Sequence, residues 1–185
     1  LMQEALLNSP DLSSVYAGFK NGDFFLLRRV HDANELEHYG APMTTAFVVQ
    51  SIATERGVRR GRLVFFDAAL YRLGEKDASS YAAHFDPRER DWYRLALDGK
   101  GQVKTPPYVF HSSGLVGTTF ANRIEGGKAV VGADMRLSAI SRLLTSQKMT
   151  PGSKIALVDV NWRLIALDDP DFRVPISASE GWVDL

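Results

Sequence analysis

The tripeptide Asn21-Gly22-Asp23 commits this chain to antiparallel pairing. It stands between Val15 to Lys20, which alternates apolar and polar, and the apolar run Phe24 to Leu27. Asn-Gly between two such runs reverses a strand within a few residues. Glu125-Gly126-Gly127-Lys128 makes a second reversal, between the strand candidates Leu115 to Ile124 and Lys128 to Arg136. Further strands are expected over Thr44 to Ile52, Arg62 to Asp67 and Lys104 to Phe110, from apolar runs bounded by turn signals. His31 to Met43 reads as polar and irregular, and Arg56-Gly57-Val58-Arg59-Arg60-Gly61 as a solvated basic turn. Strands and helices do not alternate in the βαβ manner, so the fold class is α+β, an antiparallel sheet with helices packed against it.

The two ends frame this sheet. Leu1 to Leu7 reads as the last turns of an amphipathic helix, broken at Asn8-Ser9-Pro10. Leu137, Ile140, Leu143 and Leu144 carry a helical period through Leu137 to Lys148, which Thr150-Pro151-Gly152-Ser153 stops. Ile155 to Val160 and Arg163 to Ala166 then form a hairpin about Asn161-Trp162. It opens another unit, for which only about 50 residues remain, too few for an independent mixed domain. The expected division is a helix end over 1–10, a first unit over 11–136 and a partial second unit over 137–185. Both ends read as cut from a longer protein.

Charge and composition exclude several functions. Lys+Arg and Asp+Glu number 22 each, so no basic footprint for nucleic acid exists. The absence of cysteine removes disulfides, thiolate metal sites and cysteine nucleophiles. No run of about 18 apolar residues occurs.

The stretch from Phe85 to Asp134 concentrates polar chemistry in an otherwise apolar segment. Asp86 stands as an N-cap, Pro87 at the first helical position and Glu89 three residues after the cap, so a helix is expected to start at Pro87. On its wheel Trp92, Tyr93, Ala96 and Leu97 share one face, with Arg90 at the edge one turn before Tyr93. Read structurally, Trp92 and Tyr93 are core and Arg90 is solvated.

Phe85-Asp86-Pro87-Arg88-Glu89-Arg90-Asp91-Trp92-Tyr93, followed by Tyr108 and by Val131-Gly132-Ala133-Asp134, resembles the ligand-binding signature of double Cache extracytoplasmic sensor domains. In the amino-acid-binding subset the pattern is a tyrosine, then arginine, any residue, tryptophan and tyrosine, with a later tyrosine and aspartate. Arg90, Trp92, Tyr93, Tyr108 and Asp134 match, and Phe85 stands where the pattern has its first tyrosine. The resemblance implies two PAS-like units on a long amino-terminal helix, here with that helix truncated and the membrane-proximal unit incomplete. It implies a non-catalytic periplasmic sensor without a cofactor, in a membrane-anchored parent that is open to homodimerisation. The output would be a cyclase, a cyclic-dinucleotide enzyme, a histidine kinase or a chemoreceptor. The runs Phe24 to Arg28 and Phe47 to Ile52 look most like sensors attached to cyclase or phosphodiesterase outputs. The alternative is a structural or partner-binding Cache module with no small-molecule ligand.

The residues themselves suit an amino acid or a related amine or carboxylate. A buried zwitterion needs directional cationic donors for its carboxylate, which Arg90 and the Trp92 indole N–H supply. Its ammonium needs acceptors, which Asp134 and the Tyr108 hydroxyl supply, with cation–π attraction from aromatic faces. Tyr93 serves either packing or contact. The plainer expectation for Asp134 is a salt bridge to Arg90 or a neighbour.

Other constellations carry less. His31, Glu35 and His38 fall at helical spacing with zinc-ligand types, but the segment has no apolar stripe and a metal site is not expected. His111-Ser112-Ser113-Gly114 lacks a nucleophile elbow, no Gly-Lys-Ser/Thr phosphate loop exists, and nothing pairs Asp67 with Asp86 as acid and base.

Overall fold

The computed structural model describes residues 2–110, 116–147, 150, 152–158 and 164–168. A short helix, α1 (Met2–Asn8), leads into strand β1 (Leu12–Phe19), which turns back as β2 (Phe24–Arg29). At the turn the Asn21 side-chain carbonyl accepts from the Asp23 N–H at 3.1 Å. After α2 (Ala33–Tyr39) come β3 (Phe47–Glu55), β4 (Val58–Phe66) and β5 (Arg72–Asp77). Helix α3 (Ser79–His84), a 3₁₀ turn at Pro87–Glu89 and α4 (Asp91–Asp98) then cross the sheet. The chain returns through β6 (Val103–Lys104), β7 (Tyr108–Val109), β8 (Val116–Arg123) and β9 (Ala129–Arg136). It continues as α5 (Leu137–Ser146) and a separate hairpin, β10 (Ala156–Val158) with β11 (Leu164–Leu167).

Among the described residues one antiparallel sheet runs in the order β5-β4-β3-β2-β1-β9-β8-β6, with β7 also on β8. The expected α+β antiparallel architecture with flanking helices is therefore present. Strand β1 lies between β2 and β9 and is buried along nearly its whole length, because both sheet faces are covered. On one face Val15, Leu27 and Phe47 pack with Leu6 of α1. On the other, Tyr16, Phe24, Leu26 and Ile52 pack with Phe85, Trp92, Tyr93 and Ala96. The apolar face expected for Trp92 to Leu97 is the one α4 turns inward. At the free edge, β5 is largely exposed and carries Arg72, Glu75 and Lys76, charges that discourage pairing with another sheet.

Several local expectations are corrected. Residues 31 to 43 are not irregular throughout: Asp32 caps α2 by accepting from the Glu35 N–H, and Gly40 closes it in the left-handed region. The Arg56 to Gly61 segment is not a loop of solvated arginines. Its turn is confined to Arg56-Gly57, and β4 starts at Val58. Arg59 donates from Nη2 to the Phe85 carbonyl at 2.8 Å and from Nε to the Ala82 carbonyl at 3.3 Å, serving carbonyls at the end of α3. Arg59→Met is expected to lower the unfolding free energy by about 1–2 kcal/mol, read from urea denaturation. An unchanged midpoint would mean that water serves these carbonyls equally well.

The helix expected from Pro87 also starts late. Asp86 accepts from the Arg88 N–H at 2.9 Å and from its guanidinium at 2.6 Å, so its carboxylate closes a local turn. Arg90 is extended (φ −87°, ψ 142°), and α4 begins one residue later. The strand expected over Lys104 to Phe110 is split into β6 and β7 around Pro106-Pro107, where no N–H is available for a ladder. Helix α3 and strand β5 had no counterpart among the expected elements. Asn161-Trp162, His111 to Gly114 and residues 169–185 lie outside the described residues.

Candidate functional site

Pairing register decides which side chains meet. In the row Thr119↔Asp134↔Ser14↔Arg28, four polar residues from β8, β9, β1 and β2 lie side by side on one face of the sheet. All are buried, Asp134 at 3% exposure and Arg28 at 1%. Two residues further along the strands lies the row Ala121↔Gly132↔Tyr16↔Leu26. A Cβ on Gly132 would collide with the Tyr16 ring, so the missing side chain lets that ring lie across β9 and bring its hydroxyl to Asp134.

Three hydroxyls hold the carboxylate. Tyr16 and Thr119 each donate to Asp134 Oδ1 at 2.7 Å, and Ser14 donates to Oδ2 at 2.8 Å. Each hydroxyl has one proton, so with Thr119 committed to Asp134, the 2.7 Å contact between Tyr108 and Thr119 is a donation from the tyrosine. Burial pushes the Asp134 carboxyl above the usual carboxylate range, opposed by the three hydroxyls and by the charge of Arg28. Burial likewise raises the Tyr16 and Tyr108 phenols, and the nearby Asp134 charge raises them further. No ion pair joins Asp134 to Arg90 among the described residues; the hydroxyls occupy that role.

The cationic pole is built by the break before α4. Because Arg90 sits outside the helix, its guanidinium lies over the Phe85 ring at 4.9 Å, and Phe85 in turn stacks on Tyr81 at 5.0 Å and 19°. Arg90 Nε is buried with no acceptor among the described residues. Trp92 and Tyr93 sit beneath, 4% and 2% exposed, with Trp92 edge-on to Tyr16 at 4.9 Å.

The sequence-predicted residues thus fall into three groups: Phe85 with Arg90, Tyr108 linked to Asp134 through Thr119, and Trp92 and Tyr93 packed with the Tyr16 ring. Ser14, Tyr16, Arg28, Tyr81 and Thr119 were not anticipated. Their one sequence signal is polar residues, Ser13-Ser14 and Thr118-Thr119, inside apolar strands. On the opposite sheet face a separate cavity of about 380 Å³ is lined by Met2, Ala5, Val15, Phe120, Val131 and Ala133 among others, with no charged side chain. It lacks the poles described above.

Glu35, which shares helical spacing with His31 and His38, forms an ion pair instead. Arg136 at the end of β9 pairs with its carboxylate, and the His31 N–H donates to it at 2.9 Å.

No family model matches the chain. It is 32% identical over 183 residues to adenylate cyclase 1 of Rhizobium meliloti (strain 1021), covering 98% of this chain and 27% of the cyclase. It is 31% identical over 114 residues to the methyl-accepting chemotaxis protein PscA of Pseudomonas syringae pv. tomato, covering 58% of this chain and 18% of that protein. The chain therefore spans about a quarter or less of these relatives. Among solved structures, the ligand-binding domain of the Campylobacter jejuni chemoreceptor Tlp3 in complex with L-valine matches with a TM-score of 0.52 at 18% identity, covering 96% of this chain and 54% of that one. The ligand-binding domain of the Pseudomonas fluorescens chemoreceptor CtaA in complex with L-isoleucine matches with a TM-score of 0.51 at 20% identity, covering 92% and 50%. The chain thus has the α+β fold of these chemoreceptor ligand-binding domains, and its sequence relatives include a cyclase and a chemotaxis protein.

Proposed function

We propose that the chain is the sensing module of a larger signalling protein and binds a small polar ligand, an α-amino acid or related amine or carboxylate, between Arg90 and Asp134. The observation that carries this reading is the hydroxyl-held carboxylate of Asp134 within an apolar sheet. Ser14, Tyr16 and Thr119 fix its position and leave lone pairs on Asp134 Oδ2 and Tyr108 for an ammonium. Arg90 with Phe85 forms the anion-binding end, and Trp92 and Tyr93 set the floor. The Tlp3 and CtaA domains of this fold were solved with amino acids bound.

The rest of the proposal concerns the parent. Residues 11–136 form the ligand-binding, membrane-distal unit, and 137–185 begin the membrane-proximal one. The module stands outside the cytoplasm in a membrane-anchored homodimer, performs no chemistry itself and passes its state to a cytoplasmic output, such as a nucleotide cyclase. No helix among the described residues is long and apolar enough to cross a membrane.

A thermal-shift screen of the 185-residue chain against amino acids, amines and organic acids tests the reading. Ligand at 100-fold above its Kd adds about 2.7 kcal/mol of stability. If no compound moves the midpoint, the module is instead a structural or partner-binding element.

A further inference from the structure

Resting on the reading of Asp134 as the acceptor for an ammonium, we infer that Tyr16 is the positioning residue of that pole, whose hydroxyl keeps Asp134 Oδ1 charged and aimed. The geometry begins with three oxygens. Asp134 Oδ1 lies 2.7 Å from the Tyr16 hydroxyl and 2.7 Å from that of Thr119, and the two hydroxyls lie 3.1 Å from each other. Tyr16 and Thr119 bring one proton each to these three contacts. Both protons go to the short sides, which meet at Oδ1, and the long side joins two acceptors. Contacts from O–H to an ionised oxygen shorten to about 2.5–2.7 Å, so the triangle has the shape that a carboxylate gives it.

Tyr16 is the donor that packing fixes in place. Its ring is buried, edge-on to Trp92 at 4.9 Å and tilted against Phe24 at 5.7 Å. On the side of β9, a Cβ on Gly132 would stand 2.3 Å from the ring, so the ring lies directly on that backbone. Close packing on these sides holds the side chain in one rotamer, and its hydroxyl stays at Oδ1. The other donors are committed differently. Thr119 shares its oxygen with Tyr108 at 2.7 Å, and Ser14 serves Oδ2.

The surroundings oppose the charge that these hydroxyls hold. Burial raises the Asp134 carboxyl, while hydrogen bonds from Tyr16, Thr119 and Ser14 and the charge of Arg28 on β2 lower it, with Tyr16 chief among them. The other titratable groups that feel the Asp134 charge are phenols, Tyr16 itself, Tyr108 on β7 and Tyr81 on α3. All three are raised above the ordinary range and so carry no charge near neutral pH; Arg90 acts on Tyr108 in the opposite sense. Without the Tyr16 hydroxyl, burial is less opposed and the carboxyl rises further. An ammonium then meets a neutral acid over a wider span of pH.

Tyr16→Phe keeps the ring and removes only the hydroxyl, which separates packing from charge. Carbon-13 NMR titration of the aspartate carboxyls in the ligand-free 185-residue chain reads the charge, with Asp134→Asn assigning the signal. Tyr16→Phe should move the Asp134 titration upward by about one pH unit, a tenfold gain in proton affinity. An unmoved titration overturns the inference. Calorimetry with the proteinogenic L-amino acids, from about pH 5 to about pH 8.5, reads the consequence. For whichever binds, the affinity of Tyr16→Phe should fall about tenfold below that of the parent chain on the acidic side and rejoin it on the alkaline side. An equal loss at every pH is a packing effect and overturns the inference. An amino acid that binds while the titration stays unmoved leaves the amino-acid reading standing alone. A moved titration with no amino acid bound supports the hold of Tyr16 on Asp134 and overturns that reading.

Discussion

Asp134→Asn is expected to lower the affinity for an amino-acid ligand by on the order of 10- to 100-fold, the worth of one charged hydrogen bond, without loss of the fold. The amide keeps the shape and accepts through one atom, but it cannot offer two anionic oxygens to an ammonium. Its effect on the ligand-free protein has the opposite sign. Burial holds the Asp134 carboxyl above its ordinary range, so in the window between the ordinary and the raised pKa the folded state binds more protons than the unfolded one. Stability contributed by the protonated form is therefore lost as pH rises through that window. Asp134→Asn lacks this loss and should be at least as stable at neutral pH. Ligand binding runs the other way, since an ammonium selects the carboxylate, and affinity should fall as pH drops through the raised pKa. Thermal unfolding with and without ligand, across pH, measures both slopes. Undiminished binding by the asparagine variant would place the ammonium elsewhere.

Trp92→Ala should be the most damaging substitution to the fold, at about 3–5 kcal/mol. The indole is buried against Tyr16 at 4.9 Å, Tyr93 at 5.6 Å and Phe24 at 6.5 Å. It also fills the space over Gly18, where a Cβ would come within 2.8 Å of the ring. Trp92→Phe separates packing from contact, because it keeps an aromatic ring and removes only the N–H donor and some volume. It should cost about 1–2 kcal/mol of stability. If its affinity for ligand also drops, beyond what the loss of stability accounts for, the indole N–H meets the ligand. Unchanged affinity makes Trp92 the floor of the site and nothing more.

Local features were legible in the sequence and register was not. The Asn21-Gly22-Asp23 reversal could be read directly because the residues that make it are neighbours. Asp134 could be singled out because a carboxylate in Val130-Val131-Gly132-Ala133-Asp134 breaks an apolar run. The residues that hold it are distant: Ser14 is 120 positions away and Tyr16 is 118. They reach Asp134 only because β1 and β9 pair as they do. Competition among local interactions hid the rest. Asp86 had the look of a helix cap, yet Arg88 draws its carboxylate into a shorter turn, and that turn frees Arg90 from the helix to cover Phe85. Short elements such as α3, with six residues, carry too few apolar positions for a period to show.

Asp134 leads into α5 in one continuous run: Asp134, Met135, Arg136, then the helix from Leu137. Helix α5 has ten residues, which makes it about 15 Å long, and its Thr145 hydroxyl donates to the Asp168 carbonyl beyond the sheet at 3.0 Å. In mechanical terms it is a lever whose fulcrum is the end of β9, where Arg136 is pinned to Glu35. A tilt of about 5° at that fulcrum carries the far end of such a helix through about 1.3 Å, so a displacement too small to disturb the sheet becomes an atom-sized movement at the hairpin that follows.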